Sequence, residues 1–254
     1  MHILKSFIIA FSIYSKIPVV QFEWKDKDMK YMLCFFPWIG AVIGGCVYFW
    51  NYLCGIFSVG AMCHNLIGAA IPLMITGGFH VDGFMDTMDA FHSYQPSEKK
   101  LEILKDPHIG AFAVIMLALY GMIYIGAFSE IADKRLVRIV CAGFFLARCL
   151  SGISVVSFPS AKKDGMLYFF ASSSQNAFVK WSLYLQSMAC IFFMLWQFLC
   201  AGVIVVVTAL LTFAYYYHRT KKELGGITGD TAGYFVLICE ASMMILAAVI
   251  NVAM

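Results

Sequence analysis

The sequence predicts an all-α, polytopic integral membrane protein with about seven transmembrane helices and an N-terminal interfacial helix. Of its 254 residues, 61% are hydrophobic and 13% are charged, whereas soluble domains carry about 25% charged residues. The apolar residues also form runs long enough for a bilayer, which a helix crosses in roughly 20 residues. Because a soluble fold could not bury this excess, we predict one membrane-embedded domain over residues 1–254.

The first element is apolar but interrupted by charge. Residues 1–20 contain Lys5 and Lys16 and show no small-residue cleavage site of a signal peptide. This pattern favours an amphipathic helix in the membrane interface. The fifth and sixth spans are nearly continuous, so we expect a tight hairpin between Gln197 and Gly202. The candidate spans are 33–53, 60–78, 109–128, 137–157, 180–198, 199–217 and 231–253.

Basic residues predict the orientation. With seven spans, the four basic polar segments all lie on one side of the membrane, which the positive-inside rule makes cytoplasmic. The connections 79–108, 158–179 and 218–230 then lie together on that face. The net charge is only +3, so we expect no nucleic-acid partner. The nine cysteines are scattered without a CxxC pair, which is typical of small core residues.

Three carboxylates follow the second span. Asp82, Asp86 and Asp89 are spaced i, i+4 and i+7, which places them on one helix face beside His80. Near hydrocarbon they would repel one another, and a divalent cation relieves that repulsion. Oxygen ligands without cysteine favour Mg²⁺ or Mn²⁺ over zinc, and Gly83 leaves room for a phosphate. The alternative is a solvated acidic face that stabilises a helix end.

Two other segments lie on the same predicted side. Before the third span, Asp106 is a helix cap or a fourth metal ligand, and His108 is a candidate base beside Lys105. Before the last span, a glycine-rich segment can present backbone N–H groups to a phosphate or simply cap the helix. The phosphate-binding candidates there are Lys221, Gly225, Gly226, Thr228, Gly229 and Asp230.

Charged residues also lie within or close to the spans. Arg148 is an intramembrane candidate for function, expected to face the bundle and pair with a carboxylate or phosphate. Lys163 closes the same helix and is a further candidate for substrate binding. Glu240, in the last span, has no role that the sequence assigns.

Three motifs in order resemble one family. Residues 77–89, GGFHVDGFMDTMD, are similar to the GG-x-H-x-DG-x-x-DT-x-D signature of cobalamin synthase, the adenosylcobinamide-GDP ribazoletransferase. The segments LEILKDPHIG (101–110) and LGGITGD (224–230) resemble that family's LEIMKDSRIG and LGG-x-TGD segments. The resemblance covers essentially the whole chain. Pro107 and His108 stand where Ser-Arg is common, which argues against a fixed catalytic role for His108.

The resemblance implies an activity and a cofactor. Members of the family transfer the cobinamide phosphate of adenosylcobinamide-GDP to α-ribazole, or to its 5′-phosphate, and release GMP. They are Mg²⁺-dependent enzymes of the bacterial inner membrane, here with the active site facing the cytoplasm. On this interpretation Asp82, Asp86 and Asp106 ligate Mg²⁺, Asp89 is a ligand or the base, and Lys105 and the 225–230 loop hold phosphates. The resemblance leaves three kinds of partner open, namely membrane lipids, further copies of this chain in a homo-oligomer and other cobalamin-assembly enzymes.

Other functions fit the motifs less well. A CDP-alcohol phosphotransferase would carry two more Asp at G-x-x-x-D-x-x-x-D spacing, and an intramembrane prenyltransferase a second Asp-rich motif; the sequence has neither. A cation transporter would place its acidic residues at mid-bilayer between repeated halves. Here the acidic residues lie beside a helix end in a basic segment.

Overall fold

The structure, a computed structural model, describes residues 2–162 and 176–254. Lys163, a predicted substrate ligand, lies outside the described residues. Within the described ranges the chain folds into helices joined by short connections. In chain order these are α1 (His2–Tyr14), α2 (Asp26–Met29), α3 (Met32–Phe57), α4 (Ala61–Thr76), α5 (Phe79–His92), α6 (Ser97–Ile103), α7 (Ala111–Ser129), α8 (Lys134–Ser157), α9 (Asn176–Gln197), α10 (Leu199–Leu224) and α11 (Gly229–Ala253).

Six helices of the described chain are long and apolar enough to cross a membrane, namely α3, α7, α8, α9, α10 and α11. A seventh crossing arises if α4 and α5 form one bent span. The predicted all-α, multi-pass membrane fold is therefore confirmed. The short apolar helix α1 packs on α3, with Phe7 against Phe35 and Tyr14 against Phe36.

The second predicted span differs from a straight crossing helix. α4 ends at Thr76, and α5 leaves it at an angle of 94°. The bend falls on Gly77 and Gly78, whose φ angles of 62° and 82° lie in the left-handed region that favours glycine. The connection 79–108 therefore begins with the helix that carries the three predicted carboxylates, and it contains α6 as well.

Two glycines bring α3 and α8 into close contact. A Cβ atom at Gly40 would lie 2.3 Å from the carbonyl oxygen of Phe144, and one at Gly44 would lie 2.2 Å from that of Cys141. Small residues allow helix backbones to approach in this way. The close approach increases van der Waals contact, which stabilises helix pairs in a membrane, where the hydrophobic effect does not drive helices together. α8 consequently lies at the centre of the bundle.

The hairpin between α9 and α10 is as tight as the sequence predicts. Only Phe198, with an extended backbone, separates Gln197 from Leu199. A Cβ atom at Gly202 would lie 2.7 Å from the carbonyl oxygen of Met194. Because Gly202 has no side chain, α10 can pack against the end of α9 directly after the turn at Phe198.

A buried ion pair joins α8 to α11. Arg148 Nη1 donates to Glu240 Oε1 at 2.6 Å and to the carbonyl oxygen of Phe144 at 2.9 Å. The Arg148 and Glu240 side chains are 1% and 5% exposed. Of the two partners expected for Arg148, a carboxylate or a phosphate, the structure provides the carboxylate, and Glu240 acquires a structural role.

We predict that removing one partner of this pair destabilises the protein strongly. Glu240→Leu or Arg148→Met leaves an uncompensated buried charge, at a cost of about 3–5 kcal/mol. The double variant Arg148→Met/Glu240→Leu should regain most of that loss, because no charge remains buried. Thermal unfolding of the purified proteins in detergent measures both effects. Equal stabilities of the wild type and the two single variants would contradict the prediction.

Candidate active site

A cavity of about 280 Å³ lies where the N-terminal ends of α5 and α11 meet the C-terminal end of α8. We call it the acidic cavity. The residue types on its wall are those that bind phosphates and cations. Its polar lining residues are His80, Asp82, Ser151, Ser160, Lys162, Thr228 and Asp230.

The acidic cavity depends on a close approach of two helices. A Cβ atom at Gly83 would lie 2.7 Å from the carbonyl oxygen of Asp230 and 2.9 Å from its Cα atom. The space beside Gly83, predicted to admit a phosphate, is therefore filled by the backbone of α11. This contact brings Asp82 of α5 and Asp230 of α11 into one cavity.

The glycine-rich loop before α11 forms a second close contact. Ile227 N donates to the carbonyl oxygen of Pro159 at 2.9 Å, and Ala161 N donates to that of Ile227 at 2.9 Å. A Cβ atom at Gly226 would lie 2.5 Å from the Pro159 oxygen. Because Gly226 permits this pairing, Ser160 and Lys162 reach the wall of the acidic cavity.

The start of α11 is both a helix cap and a wall of the cavity. Gly225, with φ of 76°, ends α10, and Thr228 begins α11 as an N-cap. Thr231 N donates to Thr228 Oγ1, and Thr228 N donates to Thr231 Oγ1, so the two residues cap each other. Thr228, Gly229 and Asp230 line the cavity. The partial positive charge of the helix N-terminus therefore acts on any anion bound there.

Negative charge is concentrated around the acidic cavity. Asp86, half-buried on α5, lies close enough to Asp82, Asp230 and Asp89 to experience their charges. Lys162 is the cation that acts on Asp230. Within the described residues, no three His, Cys, Asp or Glu side chains are grouped so as to hold a metal ion. The carboxylates on the cavity wall are those of Asp82 and Asp230. Mg²⁺ usually takes one or two carboxylates and completes its shell with water and phosphate.

Asp89, a predicted ligand or base, fixes another helix instead. Its carboxylate accepts the backbone N–H groups of Gly110 at 2.7 Å and Ala113 at 2.8 Å. Both belong to the start of α7, where unpaired N–H groups need acceptors. The side chain is absent from the lining of the acidic cavity. Its position indicates a capping role, with its charge still felt at Asp86.

Asp106, the fourth predicted metal ligand, does not line the acidic cavity either. The backbone N–H of His108 donates to Asp106 Oδ1 at 2.9 Å, and His108 Nδ1 lies 2.6 Å from the same oxygen. These contacts hold the pKa of Asp106 below its ordinary value. The two side chains are 54% and 89% exposed. The structure thus pairs Asp106 with His108 at the surface.

The remaining predicted ligands are spread out. Lys105 and Lys221 are exposed and do not line the acidic cavity, and Lys221 lies over the ring of Tyr217. Arg148 lies deeper in the bundle with Glu240. His80 and Gly83, in contrast, are on the cavity wall.

Sequence reasoning missed Ser160 and Lys162 as lining residues. Lys162 is visible in the sequence as a basic residue after the fourth span. Only the pairing of residues 159–161 with Ile227 reveals that it reaches the acidic cavity, and no local pattern encodes that pairing.

The chain is similar to proteins of one family over nearly its whole length. The family model described as cobalamin-5-phosphate synthase matches residues 6–248. A protein of Lachnoclostridium phytofermentans named adenosylcobinamide-GDP ribazoletransferase is 42% identical over 238 residues, which cover 93% of this chain and 90% of that protein. A protein of the same name from Treponema denticola is 32% identical over 265 residues, covering 98% and 99% of the two chains. No solved structure matches.

We predict that Asp89 and Asp82 contribute differently to stability. Asp89→Ala removes the acceptor for two N–H groups at the start of α7 and should cost about 1–2 kcal/mol. Asp82→Ala, at an exposed position, removes one of several mutually repelling charges and should leave the stability unchanged or raised. Melting temperatures in the same detergent measure the contrast. An Asp89→Ala variant as stable as the wild type would rule out the capping role.

Proposed function

The chain belongs to the cobalamin-5-phosphate synthase family, and we infer from this that it is an adenosylcobinamide-GDP ribazoletransferase, as its relatives are named. It transfers the adenosylcobinamide phosphate group from adenosylcobinamide-GDP to α-ribazole, or to α-ribazole 5′-phosphate, and releases GMP. The observation that supports this function in the structure is the acidic cavity, in which carboxylates, Lys162 and the N-terminus of α11 converge.

The transfer exchanges one phosphorus–oxygen bond for another. A hydroxyl oxygen of the acceptor forms a bond to the phosphorus that carries cobinamide, and the bond from that phosphorus to the GMP oxygen breaks. The hydroxyl proton leaves to a base, and GMP departs as an anion. Because negative charge builds on the phosphoryl oxygens and on GMP, catalysis here consists mainly of positioning and electrostatic stabilisation.

We assign the stabilising charges to named groups. The N-terminus of α11 and the ammonium group of Lys162 attract the diphosphate into the acidic cavity. Asp82 lines the acidic cavity, and Asp86, one turn away on α5, lies outside its lining but close enough to experience the same charges. These two carboxylates would hold Mg²⁺. Bound there, Mg²⁺ would neutralise phosphate oxygens and the leaving group. Asp230, on the opposite helix and on the cavity wall, would accept the proton of the acceptor hydroxyl.

We also propose that the acidic cavity faces the cytoplasm of a bacterial cell from the inner membrane. The four basic polar segments all lie on that side in the seven-span arrangement, and the positive-inside rule makes it cytoplasmic. A cytoplasmic cavity is also the one that nucleotide substrates reach directly.

The decisive test of the function is turnover by the purified protein. In detergent with adenosylcobinamide-GDP, α-ribazole and Mg²⁺, we expect stoichiometric formation of adenosylcobalamin and GMP, measured by chromatography. Asp82→Asn and Asp230→Asn should lower kcat by about 10²–10³-fold, because each removes a charge that acts on the reacting groups. Asp106→Asn is the matched control, since its carboxylate is exposed and outside the cavity, and it should keep its rate. A folded wild-type protein without turnover would refute the assigned function.

We predict that the reaction depends on a divalent cation. Treatment with EDTA should abolish turnover, and Mg²⁺ should restore it, because carboxylates and diphosphate repel each other without a cation between them. The Asp82→Asn variant should need a higher Mg²⁺ concentration for half-maximal residual activity. Full activity after EDTA treatment and dialysis would contradict the metal assignment.

A further inference from the structure

A second cavity lies deeper in the bundle, next to the acidic cavity. It has a volume of about 310 Å³, within the range of small-molecule sites. We call it the apolar cavity. Its wall is formed by α4 and α7 on one side. On the other side α8 contributes Arg148 and α11 contributes Leu237 and Glu240, so the buried ion pair forms part of the wall. Its main apolar and aromatic lining residues are Leu66, Leu73, Leu117, Tyr120, Tyr124 and Leu237.

The two cavities follow each other along the same helices. On α8 the wall of the acidic cavity includes Ser151, and that of the apolar cavity includes Arg148, one turn away. On α11 the corresponding residues are Gly233 and Leu237. One lining residue, His80, is common to both. His80 therefore lies at the boundary between the two cavities.

His80 is a buried polar group without a protein partner. The side chain is 3% exposed, and within the described part of the chain neither Nδ1 nor Nε2 has a hydrogen bond. Its ring is surrounded by Tyr14, Phe36 and Phe79. Leaving a buried donor or acceptor unpaired is unfavourable, so a buried polar group without a protein partner calls for a water, an ion or a ligand. His80 therefore indicates a hydrogen-bonding ligand at the junction of the cavities.

We propose that the apolar cavity binds the aromatic base of the nucleoside acceptor. This inference rests on the proposed function, whose acceptor is a ribonucleoside of a methylated, uncharged benzimidazole. The flat apolar base would lie among the side chains of α4 and α7. An N–H of His80 would donate to the free ring nitrogen of the base. The sugar would then extend past His80 toward Asp82 and Asp230, where its hydroxyl reacts.

The walls favour a planar ring over a lipid chain. Tyr120 and Tyr124 are stacked with their centroids 5.5 Å apart and their planes 19° apart. Aromatic surfaces of this kind pack well against a flat bicyclic ring. An acyl chain would fill the volume but would leave both nitrogens of His80 unpaired. The heteroaromatic base packs against the apolar wall and gives one nitrogen of His80 a partner.

Two glycines of α7 provide a matched test. Gly121 lines the apolar cavity, whereas Gly126 does not, and a Cβ atom at either position meets nothing within 4 Å. We therefore expect Gly121→Leu to place its side chain in the cavity. We expect it to raise the KM for α-ribazole about tenfold or more, because the leucine side chain takes up volume that the base needs and even one methylene changes discrimination about tenfold. The KM for adenosylcobinamide-GDP should change by less than about twofold. Gly126→Leu should change neither constant.

The outcomes separate this inference from the proposed function. Wild-type turnover tests the function alone. Isothermal titration of α-ribazole into the wild type and both leucine variants tests the cavity, with weaker binding expected only for Gly121→Leu. Unchanged binding and KM in Gly121→Leu, or an equal rise of both KM values, would overturn the inference. A phospholipid found by native mass spectrometry on the wild type and lost from Gly121→Leu, with the KM for α-ribazole unchanged, would assign the cavity to a lipid instead.

Folding of the variants is checked by gel filtration and melting temperature. If Gly121→Leu fails this check, Gly121→Ala replaces it, with a smaller rise in the same KM expected. A derivative of α-ribazole without the two ring methyl groups adds a second measurement. The variant should lose less affinity for this smaller base than for α-ribazole, and an equal loss for both bases would overturn the inference.

Discussion

The contact between α5 and the N-terminus of α11 is the constraint on which the rest of the site depends. At Gly83 the two backbones are so close that a Cβ atom would lie 2.7 Å from the carbonyl oxygen of Asp230. α5 can reach this position because α4 and α5 meet at 94°. A side chain at Gly83 would separate the helices and move Asp82 away from Asp230. Asp82 and Asp230 can therefore share one cavity because Gly83 has no side chain.

Two further interactions hold α11 in the place that this contact requires. The Arg148–Glu240 pair fixes α11 to α8 within the bundle, at 2.6 Å. The pairing of residues 159–161 with Ile227 fixes the segment that leads into the N-terminus of α11. An ion pair buried this deeply contributes little net stability. The pair instead fixes the alignment of α8 and α11, two apolar helices that could otherwise slide along each other. This alignment places the acidic and apolar cavities one turn apart.

The predictable part of the molecule is the part encoded by local pattern. Run length and composition predict the spans, and helical spacing places Asp82 and Asp86 on one face, because both signals depend only on nearby residues. The same spacing suggested that Asp89 joins them, yet Asp89 caps α7, since the start of that helix arrives by a tertiary contact that the spacing does not contain. The roles of Gly83 and Lys162 could likewise not be predicted from the local sequence. Their roles come from the backbones of α11 and of the 225–228 loop.

The arrangement of the two cavities gives a physical reason for performing this transfer in a membrane protein. Phosphate chemistry needs fixed charges and helix dipoles, and these act more strongly where the surroundings are apolar. An uncharged benzimidazole base needs an apolar wall of the kind found between membrane helices. A membrane bundle supplies an apolar wall for the base between its helices. One helical turn away, its end carries Asp82, Asp230 and Lys162 for the phosphate chemistry. His80 lies at their boundary, where a single ligand changes from aromatic base to sugar.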